Sequence, residues 1–154
     1  MAEAADREAS HARGLASGRA IMRWWMAALY LAAGIAHVAV PDKFLLITPH
    51  WVPYAPQVIL LTGLCEIAGS VALVSNTRLR WWAGAALALY ALCVWPANFK
   101  HALDGIALPY IGSSWWYHGP RLAFQPVLIW WALYCSGVTD WPWHRQIRPW
   151  QRLR

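Results

Sequence analysis

The chain has 154 residues, 59% of them hydrophobic and only 13% charged, with 13 tryptophans; so few charges cannot coat the surface of a water-soluble domain. The formal net charge of +6 does not indicate nucleic acid, because the arginines sit at the chain ends and in one short turn, not along an aromatic-laced stripe. Cys65, Cys93 and Cys135 each stand alone in an apolar segment without C-x-x-C spacing, so neither a dithiol motif nor a cysteine zinc site is readable.

Residues 1–22 are polar and Ala-rich and read as an N-terminal tail, frayed or interfacial. Residues 23–139 then hold four apolar stretches, approximately Trp24 to Val40, Pro56 to Val74, Trp81 to Phe99 and Leu122 to Val138. About 20 such residues at 1.5 Å rise cover the roughly 30 Å hydrocarbon core of a bilayer. The first stretch carries His37 and follows a long tail, so it reads as a retained span and not as a signal sequence. The expected fold is all-α, a four-transmembrane-helix bundle.

Arg7, Arg13, Arg19 and Arg23 precede the first span, Arg78 and Arg80 fill the second connection, and Arg145, Arg148, Arg152 and Arg154 follow the fourth. The bias of Lys and Arg towards these three regions places them, and both termini, in the cytoplasm. The short turn SNTRLR makes the second and third spans antiparallel neighbours. Most tryptophans fall near span ends, where an indole buries its ring and still hydrogen-bonds at the headgroups. The tail DWPWHRQIRPWQRLR, residues 140–154, reads as an interfacial anchor on an anionic leaflet, with partner docking as the alternative.

Counted from the span ends, His37, Asn98, His101, Arg121 and Gln125 all approach the outer leaflet, while Glu66 lies near the midplane. A carboxylate there is costly unless it is protonated, paired or facing a wet cavity. Gly63, Gly69 and Ser70 flank it and would let a neighbouring helix approach closely, so Glu66 is expected to face the bundle. Pro96 removes a helix donor and would free a carbonyl near Leu92. Two readings stay open: Glu66, Asn98 and Gln125 tie the helices together, or they line an outward-opening pocket with Glu66 at its floor.

His37 and His101 could supply two axial imidazoles, but nothing in their spacing enforces haem. A metal site from His37, His101 and Glu66 or Asp104 has ligand types without ligand spacing, so none is expected. Asp42, after Pro41, is read as capping a helical turn. The connection from Lys100 to Pro120 is long for a bundle and reads as a surface segment or a lid, with His118 on the surface.

GIAHVAVPDKF (34–44), a P-x-W element at Pro49 to Trp51, TGLCEIAGSVAL (62–73) and WPANFKHAL (95–103) together resemble the DoxX-like membrane proteins, over roughly Leu29 to Tyr134. The matching positions are His37, Pro41, Glu66, Pro96, Asn98 and His101. The resemblance implies a four-helix membrane bundle. It also implies association with redox systems, since the wider group is named for thiosulfate:quinone oxidoreductase and quinol oxidase, and related proteins assist methylamine dehydrogenase maturation or oxidative-stress complexes. The expected setting is a bacterial inner membrane.

The chain carries no nucleotide-binding Gly-rich loop and no paired cysteines, so electron transfer would need a partner's cofactors. The leading expectation is therefore the membrane component of a quinone-linked redox system, with redox or other membrane-complex subunits as partners and a quinone as the candidate cofactor. Glu66 and His101 are the expected catalytic pair; His37, Asn98, Gln125 and Arg121 are the expected ligand-binding residues. The alternatives are an accessory subunit of a larger membrane complex, or a lipid-substrate enzyme such as an isomerase using Glu66 as acid or base.

Overall fold

The computed structural model describes residues 1–104 and 114–142, and among these it is all-helical, without a strand. Four long helices, α1 (Ala2–Ala39), α3 (Ala55–Leu73), α4 (Thr77–Leu103) and α5 (Trp115–Ser136), follow in chain order, with a one-turn helix α2 (Pro41–Leu45) between the first two and a short turn between α3 and α4. They close a ring in which α1 packs on α3, α3 on α4, α4 on α5 and α5 back on α1.

The local signals that bound these helices are legible in the chain. Pro41 stops α1 after Ala39, because proline cannot donate the next helical hydrogen bond. The Asn76 side chain accepts from Leu79 N–H at 3.0 Å and opens α4; the Ser114 hydroxyl does the same for α5, accepting from Trp116 N–H at 3.3 Å. Gly137, at φ 84°, closes α5 in the left-handed conformation that glycine adopts without a Cβ penalty.

Three helices are long and apolar enough to cross a membrane: Arg13–Ala39 of α1, α3 and α4. In the apolar windows of α3 and α4 only 28% of residues are buried inside the fold, so most of the greasy surface points outward, as it must in lipid. This marks a membrane protein. The buried core is correspondingly thin and made largely of small residues: Ala27, Ala83, Ala88, Ala132 and Cys135 around Met26, Tyr30, Leu73 and Leu87. Small side chains suit a bilayer, where close backbone approach replaces hydrophobic exclusion as the source of helix association.

Several sequence expectations shift. The N-terminal tail is helical: α1 begins at Ala2 and its 38 residues extend about 57 Å, close to twice the hydrocarbon thickness. Asp42 lies in the first turn of α2 but makes no capping bond; Val40 is the N-cap residue. The long connection shrinks, because α4 runs on to Leu103 and α5 starts at Trp115. Most of the expected lid and of the 140–154 anchor, residues 105–113 and 143–154, lies outside the described residues.

Candidate functional site

A partly open cavity of about 410 Å³ lies between the C-terminal half of α1, α2, the N-terminal half of α3, the C-terminal half of α4 and the N-terminal half of α5. Its walls are mainly apolar, with Leu29, Ile47, Val58, Ile59, Val94 and Phe124 among them. Five of the six expected site residues also line it: His37, Glu66, Asn98, Arg121 and Gln125. The volume falls within the roughly 300–1,000 Å³ usual for small-molecule sites.

Glu66 is 3% exposed, facing the bundle as its depth requires. Its Oε2 lies 2.8 Å from His37 Nδ1. That nitrogen also lies 2.9 Å from the Ala33 carbonyl, and a carbonyl only accepts, so the ring proton sits on Nδ1. The N–H points to Ala33; Oε2 is close to the nitrogen but makes no hydrogen bond of good geometry. Phe44 stacks on the imidazole at 3.8 Å and holds its plane. One buried carboxylate oxygen is thus left short of a donor, a costly state that a ligand or a proton would relieve.

On the facing wall, Tyr90 interacts with both Glu66 and Thr62, and Tyr30 packs edge-on against Tyr90 at 6.3 Å while donating to the Leu87 carbonyl at 3.3 Å. Sequence reading missed these hydroxyls. The signal was present: Tyr30 and Tyr90 lie well inside their spans, away from the interfacial belts that account for most of the tryptophans.

Asn98 Nδ2 donates to Gln125 Oε1 at 3.2 Å, and Gln125 Nε2 donates to the Ala91 carbonyl. Ala91 sits one residue before Leu92, whose carbonyl loses its helical donor to Pro96. Gln125 therefore ties α5 to the α4 backbone one residue before the carbonyl that the proline frees, as well as lining the cavity.

His101 is the expected residue that does not reach the cavity. It is fully buried behind the wall, against α5. Arg121 Nη1 lies 2.5 Å from its Nδ1; since arginine only donates, Nδ1 is the acceptor and the proton sits on Nε2. His118, expected on the surface, is 1% exposed and packs edge-on against His101 at 4.7 Å, because α5 begins early enough to include it. His37 and His101 do not share one open site. Among the described residues no group of three His, Cys, Asp or Glu side chains could hold a metal ion.

The model of the family described as Domain of unknown function (DUF8561) matches residues 26–136. The chain belongs to that family. No curated protein and no solved structure matches it. The matched stretch begins in the middle of α1 and ends at the last residue of α5, so it contains every residue of the cavity.

Proposed function

We propose that this chain is a membrane protein of four spans, with α5 as the fourth, that binds a quinone-like head group in the cavity and serves as the membrane component of a quinone-linked redox system. The observation that carries the reading is the buried Glu66 carboxyl lining a mainly apolar cavity, its Oε2 short of a donor beside His37, with Tyr90 also in the lining. A quinone carbonyl only accepts hydrogen bonds, so it pairs with the protonated carboxyl, with the Tyr90 hydroxyl or with an amide N–H of Asn98 or Gln125. Proton exchange at the carbonyl falls to Glu66; electrons come from a partner subunit's cofactors.

Both termini lie on the cytoplasmic side of a bacterial inner membrane in this reading, since the arginine-rich ends and the α3–α4 turn then obey the positive-inside bias. The cavity faces the outer half of the bilayer. The DoxX-like likeness supports the redox setting, because His37, Glu66, Pro96 and Asn98, on which it rests, all border the cavity.

The test is ubiquinone binding by the purified protein in nanodiscs, followed by fluorescence quenching of the native tryptophans. Glu66→Gln is expected to weaken binding by about tenfold or more with its melting midpoint kept. Unfolding of Glu66→Gln, or unchanged binding, overturns the reading.

A further inference from the structure

The end of the bundle opposite the cavity gathers arginines from two elements. Arg19 and Arg23 lie one turn apart on α1, and Arg80 lies in the opening turns of α4. All three come within electrostatic range of Cys135, near the end of α5, so they gather at the same end of the bundle.

Their counter-charge is incomplete. Arg19 Nη2 pairs with Asp140 at 2.8 Å, and its guanidinium also lies 4.3 Å over the Tyr134 ring. Arg80 Nη2 donates to the Ser75 carbonyl at 2.8 Å, but its Nε is buried without an acceptor, as is Nε1 of the adjacent Trp81. Arg23 is half-buried, makes no ion pair with a carboxylate of the described residues, and has Arg80 and Arg19 as charged neighbours. Among the described residues, three guanidinium groups face one carboxylate.

Among the described residues no other Asp or Glu is placed to answer them. Residues 105–113 and 143–154 contain no Asp or Glu. Glu3, Asp6 and Glu8 precede Arg19 by at least 11 residues, about 16 Å or more along α1. Asp42, Glu66 and Asp104 belong to the cavity half. A half-buried guanidinium without a counter-ion is costly, and the N-terminus of α4 adds positive potential at the same end. Trp24, Trp25 and Trp82 are exposed around it, where a headgroup-level belt would sit.

We propose that Arg23 and Arg80 form a binding site for a phosphate group, the headgroup phosphate of an anionic phospholipid or a free phosphate. The planar fork of arginine matches phosphate oxygens in pairs, and the orphaned Arg80 Nε supplies a donor already stripped of water.

The experiment uses the full chain in a neutral detergent, with bound lipid counted by native mass spectrometry after addition of phosphatidylglycerol or phosphatidylcholine. The wild type is expected to retain phosphatidylglycerol about tenfold better; Arg23→Gln and Arg80→Gln are expected to lose that preference, and Arg23→Lys to keep part of it. If inorganic phosphate at millimolar concentration displaces the lipid and raises the melting midpoint equally, the site takes free phosphate. Equal retention of both lipids by the wild type without a phosphate effect overturns the proposal, and so does an undiminished preference in both glutamine variants. Should those variants fail to fold, the wild-type lipid comparison and the phosphate competition decide it.

Discussion

Gly34 of α1 and Gly63 of α3 meet where the two helices cross: a Cβ on Gly34 would lie 2.7 Å from the Gly63 carbonyl oxygen, and one on Gly63 would lie 2.8 Å from His37 Cβ. The helices run in opposite directions, since Gly34 also faces Ile67 and Gly63 also faces Val38. Helical side chains lean towards their own N-terminus, so His37 and Glu66, each three residues past its glycine, lean towards each other and converge on the crossing. The pair is a product of the glycine contact.

Gly63→Leu is therefore expected to force α1 from α3 and destabilise the protein by about 1–3 kcal/mol, the usual cost of overpacking. Ligand binding that depends on Glu66 should go with it. Gly14→Ala is the control: a Cβ there meets nothing within 4 Å, and helix propensity favours alanine by up to about 1 kcal/mol. Thermal unfolding in detergent measures both; equal midpoints would show that the crossing is looser than described.

The Asn98–Gln125–Ala91 chain makes a second prediction. Gln125→Leu removes the acceptor for Asn98 and the side-chain tie from α5 to the Ala91 carbonyl, leaving the Asn98 amide short of its partner at about 1–3 kcal/mol. Asn98→Leu leaves the Gln125 bond to Ala91 in place and is expected to cost less. The double variant should fall short of the sum, because both changes remove the same Asn98–Gln125 bond. A double-mutant cycle on unfolding free energies measures this, and strict additivity would mean that the two amides act apart.

The sequence made the helices and the inward face of Glu66 legible because lipid leaves a wide apolar signal and tolerates few polar exceptions. Counting depth along each span was enough to bring His37, Glu66, Asn98, Arg121 and Gln125 to one cavity. It failed at His101: like Asn98, that residue faces α5, but one turn further on it packs against Arg121 and His118 and is fully buried instead of opening to the cavity. His118 was misplaced for a different reason. The start of α5 depends on the Ser114 cap, and a run rich in tryptophan and glycine does not announce a helix. Tyr90 was hidden by an explanation that fitted most other aromatics.

The α4–α5 contact is tighter still. A Cβ on Gly84 would fall 1.8 Å from Ser136 Oγ and 2.9 Å from the Ala132 carbonyl oxygen, while the Ser136 hydroxyl donates to that same carbonyl at 2.6 Å. Gly84→Ala is expected to destabilise by about 1–3 kcal/mol. Ser136 Cβ would lie at 2.2 Å as well, so Ser136→Ala removes only the nearest of three obstructions and the double variant should recover little in a melting experiment. Full recovery would locate the strain at the Ser136 hydroxyl alone.

The three cysteines report where water reaches. Cys93 lines the cavity and is exposed; Cys65 is exposed but does not line it; Cys135 is fully buried. Maleimides react with the thiolate, which forms in water and not in lipid or a dry core. In the proposed four-span arrangement, with single-cysteine variants in sealed vesicles, an impermeant maleimide added to the outer side is expected to label Cys93 about tenfold faster or more than Cys65 or Cys135. Saturating quinone should protect it, and all three should react equally once the protein is denatured. Fast labelling of Cys65 would place the outer face of α3 in water and remove it as a span. An unreactive Cys93 would mean that the cavity is sealed from the outer side, and the proton route through Glu66 would then have to start from the other side.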